Sequence, residues 1–404
     1  MRLAVISPFL DRRHGTERCL AEQLARFATQ PDAEIHLYAQ RVEDLSNVVR
    51  HPARSPGCIV WHKVPRLRGP HLFGYMWWLL ANRLQRWWDA GVRRLHFDLL
   101  YSPGINAFDA DAISIHVVFT EFYRRMRPRL GLGRAPVRLL LVNLHRRLYY
   151  SLICALEKRI YPRRAVSLTA ISAHSSDCMR QFFGRDDVRI VRYGVDTETF
   201  HPAARVKRRD AERASLGIRA TDFCILLIGN DWKSKGLDTL LTALAHCSEL
   251  GFTLLVAGSG DRRTYEPQIR NLHLEPKIRF LGSSPDVMRF YAAADAYVAP
   301  SLEDAYGLPI LEAMACGLPV IASSRAGATE IIRDGCDGLV LRDPEDPREL
   351  AALLRRIYSD AVLRSRIAEE AARTAANHTW ERNAAATWEF LTAALARKRQ
   401  ENAK

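Results

Sequence analysis

Short apolar strand-like runs alternate with helical stretches along this chain, and the alternation limits the possible folds more than any other feature. In the first half, strands are expected at Leu3–Pro8, Ile35–Ala39, Ile59–Val64, Leu99–Ser102, Ile113–His116, Ala165–Ile171 and Val188–Tyr193. Helices are expected between them, at Thr16–Thr29, Phe73–Trp88, Val137–Tyr161 and His174–Phe183. Strands that alternate with helices predict a parallel sheet with helices on both faces.

The alternation stops near residue 200 and then starts again, which predicts a second domain. Tyr193–Pro202 has turn chemistry and a proline, and the charged stretch Arg205–Arg213 follows it. Later strands are expected at Phe223–Ile228, Thr253–Ala257, Ile278–Leu281, Ala296–Ala299, Val320–Ala322 and Gly338–Leu341, and helices at Leu237–Leu250, Tyr265–Leu272, Val287–Ala293, Leu308–Ala315, Pro347–Ile357, Val362–Asn377 and Trp380–Arg399. A chain of 404 residues is also too long for one ordinary core. We predict an α/β protein with two doubly wound, Rossmann-like domains, at residues 1–200 and 201–379.

The formal net charge of +14 is confined to the first half of the chain. Residues 1–205 hold 32 Lys and Arg against 18 Asp and Glu, whereas residues 206–404 hold 27 of each. A one-sided basic surface indicates an anionic partner. The alternative interpretation is an ordinary solvated face in a protein rich in arginine.

The sequence disfavours a metal site, a membrane span and a secretory signal. The eight cysteines are scattered without a CxxC pair or a Cys/His cluster, which indicates reduced thiols in the cytosol and no metal site. No apolar run approaches the roughly 20 residues of a membrane span, and the start MRLAVISPF is too short and strand-like for a secretory signal. The Asp109–Asp111 pattern, DAD, precedes a strand rather than following one, which argues against a metal-diphosphate site there.

The segment Pro300–Ile321, PSLEDAYGLPILEAMACGLPVI, carries the clearest chemical signal. It predicts a strand end, a turn, a short helix that starts near Gly307, and a new buried strand. Asp304 and Glu312 bracket the turn with seven residues between them. Free N–H groups at a helix start attract an anion, and nearby carboxylates accept hydrogen bonds from sugar hydroxyls. This combination suits a nucleotide-sugar.

The segment resembles the acidic-x7-acidic donor motif of retaining glycosyltransferases of the family 4 type, the glycosyl transferases group 1. Most members carry Glu at the first position, where this chain has Asp304 directly after Glu303. In the loop GNDWKSKG, Lys235 matches the lysine that members set against the donor diphosphate. Asn230 stands where members often have Arg, and Lys233 is a candidate for the missing charge.

Other segments add to the resemblance in the expected order along the chain. The turns that contain Gly258, Gly260 and Ser283 are similar to the family's turns around the nucleoside. The loop Ser7–Arg18 resembles the family's Gly-Gly-x-Glu loop, with Gly15 retained and Thr16 in place of the second glycine; a plain strand-to-helix turn is the alternative. His116 resembles the histidine that contacts the transferred sugar, although a satisfied interior histidine has the same pattern. The sequence Gly327–Glu330 also fits, and a structural helix start explains it more simply.

The resemblance implies a GT-B fold, in which two Rossmann-like domains face a central cleft and a C-terminal helix, here 380–399, crosses back to the first domain. It implies a nucleotide-sugar donor on the second domain, an acceptor on the first, and neither a cofactor nor a metal. The implied catalytic residues are His116, Asp304 and Lys235. The implied donor-binding residues are Gly15, Thr16, Lys233, Lys235, Gly258, Gly260, Ser283, Asp304, Gly307, Leu308 and Glu312.

The implied reaction is a front-side displacement with retention, in which Lys235 and the helix N–H groups stabilise the leaving diphosphate and Glu312 holds the ribose. We expect transfer of a hexose from a UDP-sugar, or second from GDP-mannose, to a saccharide or lipid-linked saccharide in bacterial envelope polysaccharide synthesis. Three alternatives remain: a non-catalytic sugar-nucleotide-binding protein, an epimerase, and a basic nucleic-acid-binding protein. The last leaves the acidic pair unexplained, and no RNA-binding aromatic motif is present, so we expect no nucleic acid partner.

Two helical stretches of the first half bear on location. Phe73–Trp88 places Trp77, Leu80, Leu84, Trp87 and Trp88 on one face, with Arg83 and Arg86 off it. Val137–Tyr161 has a similar leucine stripe among basic residues. Tryptophan with arginine suits an anionic membrane surface, whereas a core helix packed on the sheet is the simpler interpretation. We expect a cytoplasmic protein, with a peripheral position on the inner face of the membrane as the hypothesis for these helices.

Overall fold

The structure is a computed structural model that describes residues 1–12, 15–43, 49–50, 59–129 and 137–403. Contacts divide the chain into two compact units. Unit 1 comprises Met1–Arg192 and Trp380–Lys404, and unit 2 comprises Tyr193–Thr379. Each unit is built on its own parallel sheet. Arg13 and His14, which belong to the predicted loop Ser7–Arg18, lie outside the described residues.

Unit 1 contains an eight-stranded sheet in the order β5-β6-β3-β1-β7-β8-β9-β10. Its strands are β1 (Arg2–Ile6), β2 (Phe9–Leu10), β3 (Glu34–Ala39), β4 (Arg41–Val42), β5 (Val49–Arg50), β6 (Ile59–Lys63), β7 (Leu99–Pro103), β8 (Ala112–Ile115), β9 (Ser167–Ala170) and β10 (Arg189–Ile190). The short strands β2 and β4 pair with each other apart from this sheet. The helices are α1 (Gly15–Phe27), α2 (His71–Val92), α3 (Phe119–Met126), α4 (Val137–Ile160) and α5 (Ala173–Phe183).

Unit 2 contains a six-stranded sheet in the order β13-β12-β11-β14-β15-β16. Its strands are β11 (Phe223–Ile228), β12 (Phe252–Ala257), β13 (Ile278–Gly282), β14 (Ala296–Ala299), β15 (Val320–Ser323) and β16 (Leu339–Leu341). The helices are α6 (Pro202–Ser215), α7 (Leu237–Ala245), α8 (Glu266–Asn271), α9 (Met288–Ala293), α10 (Leu308–Ala315), α11 (Pro347–Ser359) and α12 (Ala361–Ala375). This order is that of a Rossmann fold, in which the chain turns back after its first three strands.

The last helix, α13 (Trp380–Asn402), packs in unit 1 against α1. The buried Gln23 amide donates to Asn383 Oδ1 at 2.9 Å and to Thr387 Oγ1 at 3.1 Å. Phe390 and Leu391 of α13 are buried in the same apolar core as the strands of the first sheet. The unit therefore contains chain segments from both ends of the sequence.

Helix α6 begins directly after the stretch that the sequence marks as a domain boundary, and sequence analysis did not predict it. Pro202 occupies its first turn, and the His201 ring accepts a hydrogen bond from the Ala204 N–H at 3.2 Å, which caps the helix. Arg213 is buried and donates to the Asp295 carboxylate at 3.2 Å. The charges of this stretch thus fasten α6 to unit 2 instead of lying in a linker.

Four of the five side chains of the predicted apolar stripe of α2 are more than half exposed, and the fifth, Trp77, is half-buried against the core. The interpretation of the stripe as a core-packing face is therefore wrong for most of its length. The buried face is formed by Trp78, Leu79, Ala81, Asn82, Arg86 and Asp89. Arg86 donates to both Asp109 oxygens at 2.8 and 2.9 Å, and Tyr38 donates to Asp89 at 2.7 Å. The helix is held to the sheet partly by these polar contacts, a mode that hydrophobic periodicity does not reveal. Within the part of the chain that the structure describes, no helix combines the length and apolarity needed to cross a membrane.

Candidate functional site

Two loops meet where β11 and β14 end, at the centre of the second sheet. The chain order reverses between these neighbouring strands, and open α/β sheets bind ligands beyond the carboxyl ends of strands at such a point. The loop 229–236 follows β11, and the loop 300–307 follows β14. The Leu302 N–H donates to the Ser234 carbonyl at 2.8 Å and joins the two loops.

Glycines allow the loops to approach this closely. Gly236 has φ +75°, and a Cβ there would lie 2.0 Å from the Pro300 carbonyl oxygen. Gly307 has φ +90°, and a Cβ there would lie 2.9 Å from Ile310 Cδ1. Both values of φ lie in the left-handed region that side chains rarely adopt. The close approach of the loops thus requires glycine at position 236, and the backbone conformation favours glycine at both positions.

Lys235 and Asp304, which the sequence separates by 69 positions, form an ion pair between the two loops. The lysine stem lies over Gly229, where a Cβ would come within 2.6 Å of Lys235 Cγ. The backbone of Asp304 is fixed on both sides, since its N–H donates to the Arg325 carbonyl at 3.2 Å and its carbonyl accepts from Gly327 at 3.1 Å. The two side chains remain 22% and 15% exposed, so a ligand can reach the pair.

The N-terminus of α10 lies beside this pair. Its N-cap is Gly307, which has no side chain to cap the helix, and Leu308 is the first helical residue. A Cβ on Gly307 would lie 3.3 Å from Asp304 Oδ2, which shows how close the carboxylate is to the helix start. The positive end of a helix dipole, an ammonium group and a carboxylate therefore converge within unit 2.

Glu312 lies one turn further along α10 and is only 3% exposed. The Tyr291 hydroxyl donates to Glu312 Oε2 at 2.7 Å. Burial and the neighbouring Glu312 charge raise the pKa of Tyr291 well above its ordinary value, so the phenol stays protonated and remains a donor. The sequence suggested Glu312 as a ribose ligand but gave no sign of its tyrosine partner.

Asn230 ties the loop after β11 to the loop after β12. Its Oδ1 accepts hydrogen bonds from the Ser259 N–H at 3.2 Å and the Ser259 hydroxyl at 3.1 Å. Gly258 has φ +124°, and a Cβ there would lie 1.9 Å from the Gly229 carbonyl oxygen. The Trp232 ring, almost fully buried, covers Gly260, where a Cβ would meet the ring at 2.3 Å. Sequence analysis missed the packing of Trp232 on Gly260 and the hydrogen bonds between Asn230 and Ser259. A tryptophan in a loop that contains glycines is a signal that its ring packs against glycine backbone.

Two other predicted donor-binding residues lie on exposed loops of the same unit. Lys233 is exposed two positions before Lys235, and its carbonyl accepts the Gly236 N–H at 3.1 Å. Ser283 is exposed directly after β13. Lys233 follows the carboxyl end of β11, and Ser283 follows that of β13. Both residues therefore lie on the side of the sheet where the strands end, which is also the side of the ion pair.

The remaining predicted site residues belong to unit 1. His116 directly follows β8 and is 6% exposed. Burial lowers the pKa of His116 to about 4, so the ring is neutral at pH 7 and can exchange hydrogen bonds but supplies no positive charge. Gly15 and Thr16 begin α1.

Helix α3, which follows His116, has an internal carboxylate at its N-terminus. Glu157 of α4 is fully buried and accepts the N–H groups of Phe119 and Thr120, each at 2.7 Å, and the Thr120 hydroxyl at 2.6 Å. Burial raises the pKa of Glu157 to about 7 despite these donors. This helix start is therefore occupied by the protein itself.

The raised pKa of Glu157 predicts a specific pH dependence of stability. The pKa of Glu157 in the folded state lies above its ordinary value of 4.5. The contribution of this raised pKa to the free energy of unfolding is therefore fully present below pH 4.5 and is lost as the pH rises through 7. The loss amounts to about 3 kcal/mol at most. Urea unfolding of the parent and of Glu157→Gln, measured on both sides of this window, should show the smaller pH dependence in the variant. Equal slopes would contradict the assignment.

Both carboxylates of the acidic pattern Asp109–Asp111 accept hydrogen bonds from residues of unit 1. Arg86 holds Asp109, whereas Asp111 accepts from the Leu100 N–H at 2.8 Å and from Lys398 at 2.7 Å. Among the described residues, no group of three His, Cys, Asp or Glu side chains is arranged to hold a metal ion.

Part of this chain, which includes the site, matches a known protein family. Residues 208–374 match the family model "Glycosyl transferases group 1", so unit 2 holds a domain of that kind. Spore coat protein SA of Bacillus subtilis (strain 168) is 26% identical over 268 residues, which cover 62% of this chain and 71% of that protein. D-inositol 3-phosphate glycosyltransferase of Salinispora arenicola (strain CNS-205) is 33% identical over 225 residues. The match covers 52% of this chain and 50% of the relative, so the chain spans about half the length of that enzyme.

A solved structure confirms the predicted fold. The crystal structure of Anabaena Alr3699/HepE in complex with UDP and glucose aligns with a TM-score of 0.68 over 97% of this chain and 99% of that one, at 20% identity. The protein has the GT-B fold, with two Rossmann-like α/β sheets.

Proposed function

We propose that this protein is a glycosyltransferase that moves a hexose from a nucleotide-sugar to a saccharide acceptor with retention of configuration. The observation that carries the proposal is the Lys235–Asp304 ion pair beside the N-terminus of α10, at the switch point of the second sheet. The group 1 domain match at residues 208–374 covers this site, and a relative 33% identical over half its length is named as a glycosyltransferase.

The arrangement suits the departure of a nucleoside diphosphate. Negative charge develops on the leaving phosphates, and groups already in place stabilise that charge without reorganisation. Lys235 supplies a cation and the first turn of α10 supplies N–H groups. A bound diphosphate competes with Asp304 for the lysine, which frees the carboxylate to accept a hydrogen bond from a sugar hydroxyl.

The other proposed contacts follow the same chemistry. Glu312 would hold the ribose hydroxyls, and the neutral His116 would exchange a hydrogen bond with a hydroxyl of the transferred sugar. The acceptor proton would pass to the departing phosphate. We propose that the reaction uses no metal, because Lys235 and α10 supply positive charge at the diphosphate. UDP-hexose is the first candidate donor, which the UDP and glucose bound by HepE support, and GDP-mannose is the second.

The proposed acceptor is a saccharide or a lipid-linked saccharide of a bacterial envelope polysaccharide. The proposed location is the cytoplasm, with peripheral attachment to the inner face of the membrane. The confinement of the excess positive charge to residues 1–205 supports an anionic surface as partner.

A non-catalytic sugar-nucleotide-binding protein is the second candidate. Asn230 replaces the arginine common in the family, and its side-chain oxygen accepts a hydrogen bond from Ser259. In addition, one relative is named as a spore coat protein. This candidate keeps the donor site and lacks only turnover. Release of nucleoside diphosphate in the presence of acceptor separates the two, because the binding protein would release none.

A thermal-shift panel of UDP, GDP, ADP and their common sugars, with and without EDTA, tests the donor site. A ligand at about 100 times its Kd stabilises the folded state by about 2.7 kcal/mol. That stabilisation raises the melting temperature of a unit of this size by roughly 5–10 °C. We expect one base to produce the shift, and EDTA to leave the shift unchanged. Absence of a shift with every nucleotide would refute the proposal.

A further inference from the structure

Helix α2 carries an exposed apolar face that covers its whole length. Six large side chains on that face are 51–73% exposed: Phe73, Met76, Leu80, Leu84, Trp87 and Trp88. Their spacing of three, four, four, three and one residues places them within about a third of the helix circumference. Isolated exposed apolar residues are common, but a continuous stripe of this size marks an interaction surface.

The charges around this face have one sign. Six exposed cations lie on α2 or within eight residues of its ends: Lys63, Arg66, Arg68, Arg83, Arg93 and Arg94. The single carboxylate in this stretch of the sequence, Asp89, is fully buried, accepts from Tyr38 and forms an ion pair with Arg93 at 3.1 Å. The other five cations have no carboxylate of this stretch to neutralise them. Trp77 Nε1 donates to the Pro65 carbonyl at 2.8 Å, which holds the preceding basic loop against the helix.

We propose that the exposed face of α2 is a docking surface for an anionic phospholipid bilayer, with the helix lying in the plane of the headgroups. Leucine, phenylalanine and methionine would enter the acyl boundary, the Trp87 and Trp88 rings would lie at the interface, and the arginines would contact lipid phosphates. This inference rests on the proposed action at a membrane surface and names the residues that carry it.

The chemistry favours a bilayer over a second copy of this chain. A symmetric dimer through α2 would place the same face of both copies together. It would bring two sets of arginines close with no exposed carboxylate from this stretch to neutralise them. An anionic lipid surface supplies the missing negative charge and accepts the apolar side chains.

A second exposed stripe lies on α4 of the same unit. Leu141, Leu144 and Leu148 are 44–63% exposed, and Arg146 beside them is exposed. Helix α4 touches α2 through Tyr149 and Tyr75, whose ring centroids are 5.9 Å apart. Further along α4, Leu156 and Ile160 are buried, so the exposed leucines belong to the first part of the helix alone.

Sedimentation of the full-length protein with vesicles tests the surface. One set contains phosphatidylcholine alone and the other adds phosphatidylglycerol. We expect binding to the anionic set, a loss of about tenfold in Leu80→Ser/Leu84→Ser, and a loss of about fivefold for each cation removed in Arg66→Gln/Arg68→Gln/Arg83→Gln. The matched control is Val206→Ser/Val362→Ser, which removes two exposed aliphatic side chains from helices of unit 2 and should bind as the parent does.

Three outcomes would overturn the inference: no binding to anionic vesicles, unchanged binding of the leucine variant, or a dimer of the parent that dissociates in the leucine variant. Circular dichroism melting curves of the variants, compared with that of the parent, show whether unit 1 is folded, and nucleotide-dependent thermal shifts report on unit 2. Those shifts also separate failure of this surface from failure of the donor site, because α2 belongs to unit 1 and the ion pair to unit 2.

Discussion

Replacing Lys235 by alanine should reduce turnover by about 10²–10³-fold, the scale found when one preorganised donor to a developing anion is removed. Lys235 is the cation that the structure holds between the two central loops of unit 2, in contact with Asp304. In the variant, the diphosphate would leave without this cation, although the N–H groups of α10 would still stabilise it. Steady-state release of nucleoside diphosphate from the preferred donor measures the effect.

The matched control is Lys207→Ala, which removes an exposed lysine from α6 of the same unit. Its turnover should stay within a few-fold of the parent, since Lys207 is not among the predicted donor-binding residues. Binding adds a second readout, because the Lys235 variant should lose most of the preference for a nucleoside diphosphate over the monophosphate. Full turnover and an unchanged preference in Lys235→Ala would remove the lysine from the mechanism.

The strands of unit 2 were predictable because buried parallel strands are continuous apolar runs. The bounds of β11, β14 and α10 agree with the sequence prediction at both ends. Helix α7 is shorter than predicted and ends at Ala245, since residues 246–250 form turns after it. Apolar content locates an element well but sets its end poorly when capping decides where it stops.

Contacts between distant segments were beyond the reach of the sequence. The position of Lys235 before Gly236 was recognisable, whereas its pairing with Asp304 requires the order of the strands and the close approach of two loops. The simpler interpretation of the α2 stripe, a face packed on the sheet, was wrong because Arg86 and Asp89 are buried by polar partners while Trp87 and Trp88 are exposed. Periodicity identifies an apolar face, but it does not show whether that face packs against the sheet or is exposed at the surface.

Replacing Gly236 by alanine should destabilise unit 2 by about 3 kcal/mol or more and abolish the nucleotide-dependent thermal shift. Two costs add at this position. The backbone has φ +75°, and the new Cβ would lie 2.0 Å from the Pro300 carbonyl oxygen and 2.8 Å from its carbon. Since both obstacles are backbone atoms, the loops must separate, and Lys235 then moves away from Asp304.

Gly335→Ala is the matched control because Gly335 has the same φ of +75° in the same unit, and its nearest atom to a new Cβ is Arg356 Nη2 at 3.9 Å. That variant bears only the conformational cost of about 1 kcal/mol and should keep the nucleotide shift. The difference between the two variants in melting temperature, roughly 4–8 °C for 2 kcal/mol in a unit of this size, measures the close approach of the loops. Equal losses in both variants would show that the contact between Gly236 and Pro300 does not shape the site.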